Sequence, residues 1–217
     1  MITLDGPRLH PASGEAARSL VVLLHGYGAD GSDLIALAEM WAGEFPHTAF
    51  VAPDAPDPCE LAPMGRQWFP LSLRDPSEYW RGVTAAAPVL DRFLDRELDA
   101  AGLTERELIL VGFSQGTMMA LHVGFRRSRP LAGLIGYSGR LAGPERFESE
   151  TEIRFPVLLV HGEADDLLPS ELTLQAEATL ATAGVAVRSH VEPGLGHGIN
   201  AVGLELGRGF LREYLPG

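Results

Sequence analysis

The sequence predicts a three-layer α/β domain, a mostly parallel central sheet with helices on both faces, from three observations. Short runs rich in Val, Leu and Ile recur along the chain; they stop at Gly, Pro or His-Gly; and stretches with helical spacing alternate with them. Strands covered on both faces read this way.

In chain order, Asp5-Gly6 is a turn signal that would join residues 2–4 and 8–10 in a short hairpin. A buried strand is expected over 20–24, followed by a helix over 32–41 and a second strand over 48–52. Residues 53–76 read as neither strand nor helix, with prolines at 53, 56, 58, 63, 70 and 76 among Leu61, Met64, Trp68, Phe69, Leu71 and Leu73. A connection longer than about 15 residues inside a compact domain is usually functional. Helical spacing resumes over 77–101, opened by Ser77-Glu78 and closed by Gly102. The strand 108–111 leads into a helix over 115–127, and a strand follows over 131–137. The last units are a strand over 157–160, a helix over 169–183 closed by Gly184, a strand over 186–191 and a helix over 199–214. No linker divides the chain, so residues 1–217 are expected to form one domain.

Composition excludes several functions. The net charge of −12 opposes nucleic acid and anionic lipid, and the run Arg126, Arg127, Arg129 reads as a solvated helix end. Every one of the 17 basic residues is arginine, which removes Schiff-base, P-loop and Ser-Lys chemistry. The lone Cys59 gives no internal disulfide or Cys-based metal cluster and reads as a small buried or loop residue. With no signal-peptide pattern and no apolar run of about 18 residues, a cytoplasmic protein without stable membrane association is expected.

Gly112-Phe113-Ser114-Gln115-Gly116 joins a strand to a helix, the context in which G-x-S-x-G makes a nucleophile elbow. Small residues two before and two after the serine allow the tight turn, and the helix N-terminus offers free N–H groups to a developing oxyanion. A serine needs a base, and seven histidines compete. His197, in Gly196-His197-Gly198 after the last strand, has the loop setting that lets an imidazole reach Ser114. His25 and His161 end strands in His-Gly pairs and are expected to be buried and to brace their loops. The orienting acid should follow a strand between the serine and the histidine, where Glu163, Asp165 and Asp166 all stand.

Leu24-His25-Gly26-Tyr27-Gly28, Val51-Ala52-Pro53, Trp68-Phe69, the serine elbow, Tyr137-Ser138-Gly139, His161-Gly162 with Asp165, and Gly196-His197 together resemble the phospholipase/carboxylesterase family of α/β-hydrolases, which includes the acyl-protein thioesterases. The resemblance covers nearly the whole chain, although Asp166 stands where the family commonly has proline. It implies an α/β-hydrolase fold without a separate cap domain. It also implies a triad of Ser114, Asp165 and His197, an oxyanion hole from the backbone N–H groups of Tyr27 and Gln115, and Trp68 and Leu167 near the acyl site. With no room for a cap, residues 53–76, Met64, Trp68 and Phe69 included, are expected to wall a shallow acyl groove.

The expected function is therefore a serine carboxylesterase acting on short- to medium-chain esters, with acyl-protein thioesterase or lysophospholipase activity as the alternative. The partner would be a small-molecule ester; no cofactor, metal or nucleic acid is called for, and a homodimer is left open. Two rivals compete. Gly26-Tyr27-Gly28-Ala29-Asp30-Gly31 also fits G-x-G-x-x-G, with Asp54 as a ribose-binding acid, so a dinucleotide-binding oxidoreductase is a competing reading. A binding module that keeps the fold without catalysis is the other.

Overall fold

Period-2 geometry turns each doubly covered strand into a divider between two cores, and the computed structural model, which describes residues 3–72, 75 and 77–215, has this arrangement. In β2 (Ser19–Leu24) the side chains of Leu20, Val22 and Leu24 enter one hydrophobic cluster, while Val21 and Leu23 enter the other. The alternation continues through β6 (Leu108–Phe113), β7 (Gly133–Tyr137) and β8 (Val157–Gly162). Each fully buried aliphatic side chain contributes about 1.5 to 3 kcal/mol relative to exposure.

With β1 (Arg8–Leu9), β3 (Thr48–Val51) and β9 (Val187–Glu192), these strands form a seven-stranded sheet in the order β1-β3-β2-β6-β7-β8-β9. All pairings are parallel except β1 with β3. One face is covered by α1 (Gly31–Trp41) and α6 (Ala201–Tyr214), which bring Leu34, Ile35, Trp41, Phe210 and Leu211. The other is covered by α2 (Glu78–Ala101), α3 (Gln115–Gly124) and α5 (Glu171–Thr182), through residues such as Leu90, Phe93, Met119, Leu121 and Leu180. No separate cap is evident, and among the described residues no helix is long and apolar enough to cross a membrane.

The departures have local causes. No hairpin forms near the N-terminus: residues 3–7 are not strand, and Arg8 and Leu9 pair instead with Val51 and Phe50 of β3; Ile2 lies outside the described residues. The segment after β3 holds a small ladder, β4 (Asp57–Pro58) against β5 (Arg66–Gln67), that proline density obscures in the sequence; its Leu73 and Pro76 lie outside the described residues. A short helix, α4 (Phe147–Glu150), adds to the elements expected from the sequence. The helix after the serine stops at Gly124, short of the arginines.

Those arginines are not all a solvated end. The Arg127 side chain is 5% exposed and binds Asp91 at 2.6 Å and Asp95 at 2.6 Å on α2, and Glu105 at 3.0 Å. Cys59 is buried and free. Gly102 ends α2 in the left-handed region at φ 67°, the conformation glycine adopts without steric cost.

Candidate active site

Strand order changes direction at β2: β3 lies on one side of it and β6 on the other, so a crevice opens at their carboxyl ends. The loop after β2 carries Gly26, Tyr27 and Gly28, and β6 runs straight into Ser114. Ser114 has φ 53° and ψ −114°, and with Ser138 it is one of two non-glycine residues at positive φ among the described residues. Such a backbone costs roughly 1 to 3 kcal/mol and persists only where its surroundings impose it. Here they do: the Ser114 N–H donates to the Tyr137 carbonyl at 2.9 Å, and the Ser114 carbonyl accepts from Thr117 N–H at 3.0 Å. Side chains at the flanking glycines would collide with backbone: a Cβ on Gly112 would lie 2.5 Å from Thr117 Cα, and one on Gly116 1.8 Å from the Leu24 carbonyl oxygen.

The elbow leaves the first turn of α3 facing the crevice. Among the described residues, the backbone N–H groups of Tyr27 and Gln115 have no hydrogen-bond partner, so both are available to an oxyanion. Their positions are braced from several sides. The Gln115 side chain accepts from Trp68 N–H at 2.9 Å and donates to the Phe69 carbonyl at 2.8 Å, tying the proline-rich segment to α3. Trp68 Nε1 donates to the His25 carbonyl at 3.0 Å. His25 Nε2 accepts from Ala55 N–H at 2.9 Å and Nδ1 donates to the Gly26 carbonyl at 2.7 Å, which defines a neutral ring; burial holds its pKa below the usual histidine range. Burial and the neighbouring Cys59 thiol push the Tyr27 hydroxyl up to about 12.

Of the three carboxylates after β8, Asp165 is buried and Glu163 and Asp166 are exposed. Asp165 Oδ2 accepts from His197 Nδ1 at 2.6 Å, and Oδ1 accepts from the N–H groups of Leu167 at 3.0 Å and Leu168 at 2.9 Å. Burial pushes the Asp165 carboxyl up, but hydrogen bonds from Leu168 N–H, His197 and Leu167 N–H outweigh it and hold the pKa below the ordinary aspartate value. His197 rests its ring 5.0 Å from that of Phe113. Ser138 Oγ, at the end of the neighbouring strand, donates to the Gly198 carbonyl of the same loop at 3.5 Å.

Ser114 and His197 meet in one cleft of about 270 Å³, whose walls include Tyr27, Leu61, Leu71, Tyr79, Met118, Leu167 and Leu168. No hydrogen bond joins the Ser114 hydroxyl to the His197 ring among the described residues; in enzymes this contact commonly tightens only around substrate. Leu167 thus stands at the cleft, but Trp68 and Met64 do not. Trp68 is 1% exposed and lines a separate hollow of about 400 Å³ with Phe69 and Pro70, because its indole N–H is drawn inward to His25. Met64 is 91% exposed. The apolar wall comes instead from Leu61 and Leu71 of that segment and from Tyr79, Met118 and Leu168. Met118 could have been found from sequence, lying one helical turn beyond Ser114; Tyr79 arrives from α2 with no local signal.

The glycine-rich loop does not present a dinucleotide site. Asp30 caps α1, accepting from Ser32 N–H at 2.8 Å, so a carboxylate fills the place a pyrophosphate would need. Asp54 accepts from Gly31 N–H at 2.9 Å and is likewise engaged. Among the described residues no group of three or more His, Cys, Asp or Glu side chains could hold a metal.

The chain is similar to known proteins over nearly its whole length. Residues 11–215 match the model of the phospholipase/carboxylesterase family. The crystal structure of esterase PE8 superposes with a TM-score of 0.96 at 47% identity, covering 99% of this chain and 100% of that one. Acyl-protein thioesterase 1 of Schizosaccharomyces pombe is 31% identical over 166 residues, 73% of each chain. The same-named protein of Gibberella zeae is 26% identical over 229 residues, 97% of this chain and 96% of its own.

Proposed function

The chain belongs to the phospholipase/carboxylesterase family of α/β-hydrolases, and on that premise we propose that it is a serine carboxylesterase using Ser114, His197 and Asp165. The observation that carries the reading is the convergence of a strained Ser114 with a His197 whose Nδ1 is held 2.6 Å from a buried Asp165.

In the reaction, Ser114 Oγ attacks the ester carbonyl carbon while His197 Nε2 takes the hydroxyl proton. The Tyr27 and Gln115 N–H groups receive the oxyanion, and Asp165 stabilises the imidazolium. Collapse breaks the bond to the alcohol, which leaves with the proton from His197. Water then attacks the acyl-enzyme, giving a proton to His197, and His197 returns it to Ser114 Oγ as the bond to the acyl carbon breaks and the acid departs.

A cleft of about 270 Å³ lies just below the range of about 300 to 1,000 Å³ usual for ligand pockets, which favours short and medium acyl groups. Leu61 and Leu167 at the cleft are 79% and 68% exposed, so a longer acyl chain would lie largely in water. The second reading, thioester hydrolysis, is favoured by the thioesterase relatives and needs the same residues.

A fluorophosphonate probe with peptide mapping should label Ser114 alone. Ser114→Ala should abolish ester turnover except for a residual of about 10³ to 10⁴ over water from oxyanion stabilisation and binding. An ester series of graded acyl length, with one thioester and one lysophospholipid, should peak at short to medium chains. Labelling at Ser138, or preference for long-chain emulsions, would overturn the assignment.

A further inference from the structure

His161 closes β8 with a fully buried ring. Its Nε2 lies 3.0 Å from Asp165 Oδ2 and 2.8 Å from the Leu168 carbonyl oxygen. Neither oxygen carries a hydrogen when Asp165 is ionised, so Nε2 must carry one. On the other side, Nδ1 lies 2.7 Å from Thr173 Oγ1 on α5, and that hydroxyl has no other acceptor among the described residues. With Nε2–H directed at those two oxygens, Nδ1 is the atom that receives the Thr173 O–H.

We propose that His161 is a positioning residue for ester hydrolysis: its Nε2–H, held in place by Thr173, fixes the Asp165 carboxylate in the orientation that receives His197 Nδ1–H. The proposal rests on the triad reading above. Oδ1 is anchored by two amides of its own loop, but Oδ2 has only the two imidazoles. His197 sits on a glycine-flanked loop and is the ring that changes charge, whereas His161 is fixed between a central strand and a helix. A donor on Oδ2 also lowers its basicity. The proton on His197 Nδ1 then stays on the ring when Nε2 takes the Ser114 proton.

The test compares His161→Leu, His161→Gln and Thr173→Val, with kcat expressed per site counted by the acyl-enzyme burst of a p-nitrophenyl ester. His161→Leu should lower kcat about 10- to 100-fold, the scale on which partners that orient a catalytic group act, with KM changed by less than about twofold. His161→Gln, whose side-chain N–H₂ reaches the same point, should recover most of that loss. Thr173→Val should cost several-fold in kcat and shift the low-field proton resonance of His197 Nδ1–H. A purely structural role would instead lower the melting temperature and leave kcat per titrated site unchanged. That result, or His161→Gln no better than His161→Leu, overturns the proposal. If His161→Leu does not fold, Thr173→Val decides: native kcat with an unshifted resonance sinks the idea. Failure of the triad reading looks different, since Asp165→Asn or Ser114→Ala would then retain turnover whatever the His161 variants do.

Discussion

Adjacent aspartates with opposite surroundings make the residue scale decisive. Asp165 is buried under four donors, and Asp166 is exposed. Asp165→Asn should fold yet lose about 10⁴ in kcat, the scale on which the same change acts in a serine protease, because an amide stabilises the wrong imidazole tautomer. Asp166→Asn should stay within about twofold of the parent. Steady-state kinetics on both variants checks the pair, and an inactive Asp166→Asn would reverse the assignment. His122 carries a pH prediction. It is buried in a T-shaped contact with Trp80, with ring centroids 5.1 Å apart, and burial, then the Arg126 charge, push its pKa down to about 4. Between the ordinary value of 6.5 and about 4, the unfolded chain binds a proton that the folded ring refuses. Stability therefore falls as pH drops through that window. Urea denaturation from pH 7 to 4 should show the decline, and His122→Leu should flatten it.

Among the elements, the elbow has the least tolerance. Because a Gly116 Cβ would lie 1.8 Å from the Leu24 carbonyl oxygen, Gly116→Ala must push α3 off β2, and the obstacle is backbone that cannot rotate aside. A loss of about 3 kcal/mol, the upper end of overpacking costs, is expected from denaturant melts. Most of the elements were legible because Val- and Leu-rich runs between glycines and prolines have few alternatives. The N-terminal hairpin failed because Arg8 and Leu9 pair with the outer edge of β3, a strand whose other edge is already held by β2. The β4–β5 pair escaped notice because two-residue strands carry no periodicity.

At the scale of the whole molecule, Arg127 staples the turn after α3 to α2 and to the 3₁₀ turn Glu105–Glu107. Asp91 and Asp95 are about half exposed and contribute little; Glu105, 12% exposed, would be left as an unpaired carboxylate. Arg127→Met should cost about 3 kcal/mol in urea melts, the lower end for breaking a buried pair, with kcat per titrated site unchanged. The sequence by itself determined the layered fold and the serine elbow, since apolar period, glycine spacing and strand-to-helix context are local properties of the chain. It also singled out His197, whose glycine-flanked loop can be read without neighbours, and the resemblance added Asp165. Only the tertiary structure decided which apolar side chains wall the cleft, sending Trp68 inward to His25 and Met64 to solvent while bringing in Tyr79 from α2. It also decided that the Arg127 side chain is buried and that His161 shares the Asp165 carboxylate. Those outcomes depend on which groups distant in sequence can satisfy one another's hydrogen bonds and charge once water is excluded, and no local pattern records that.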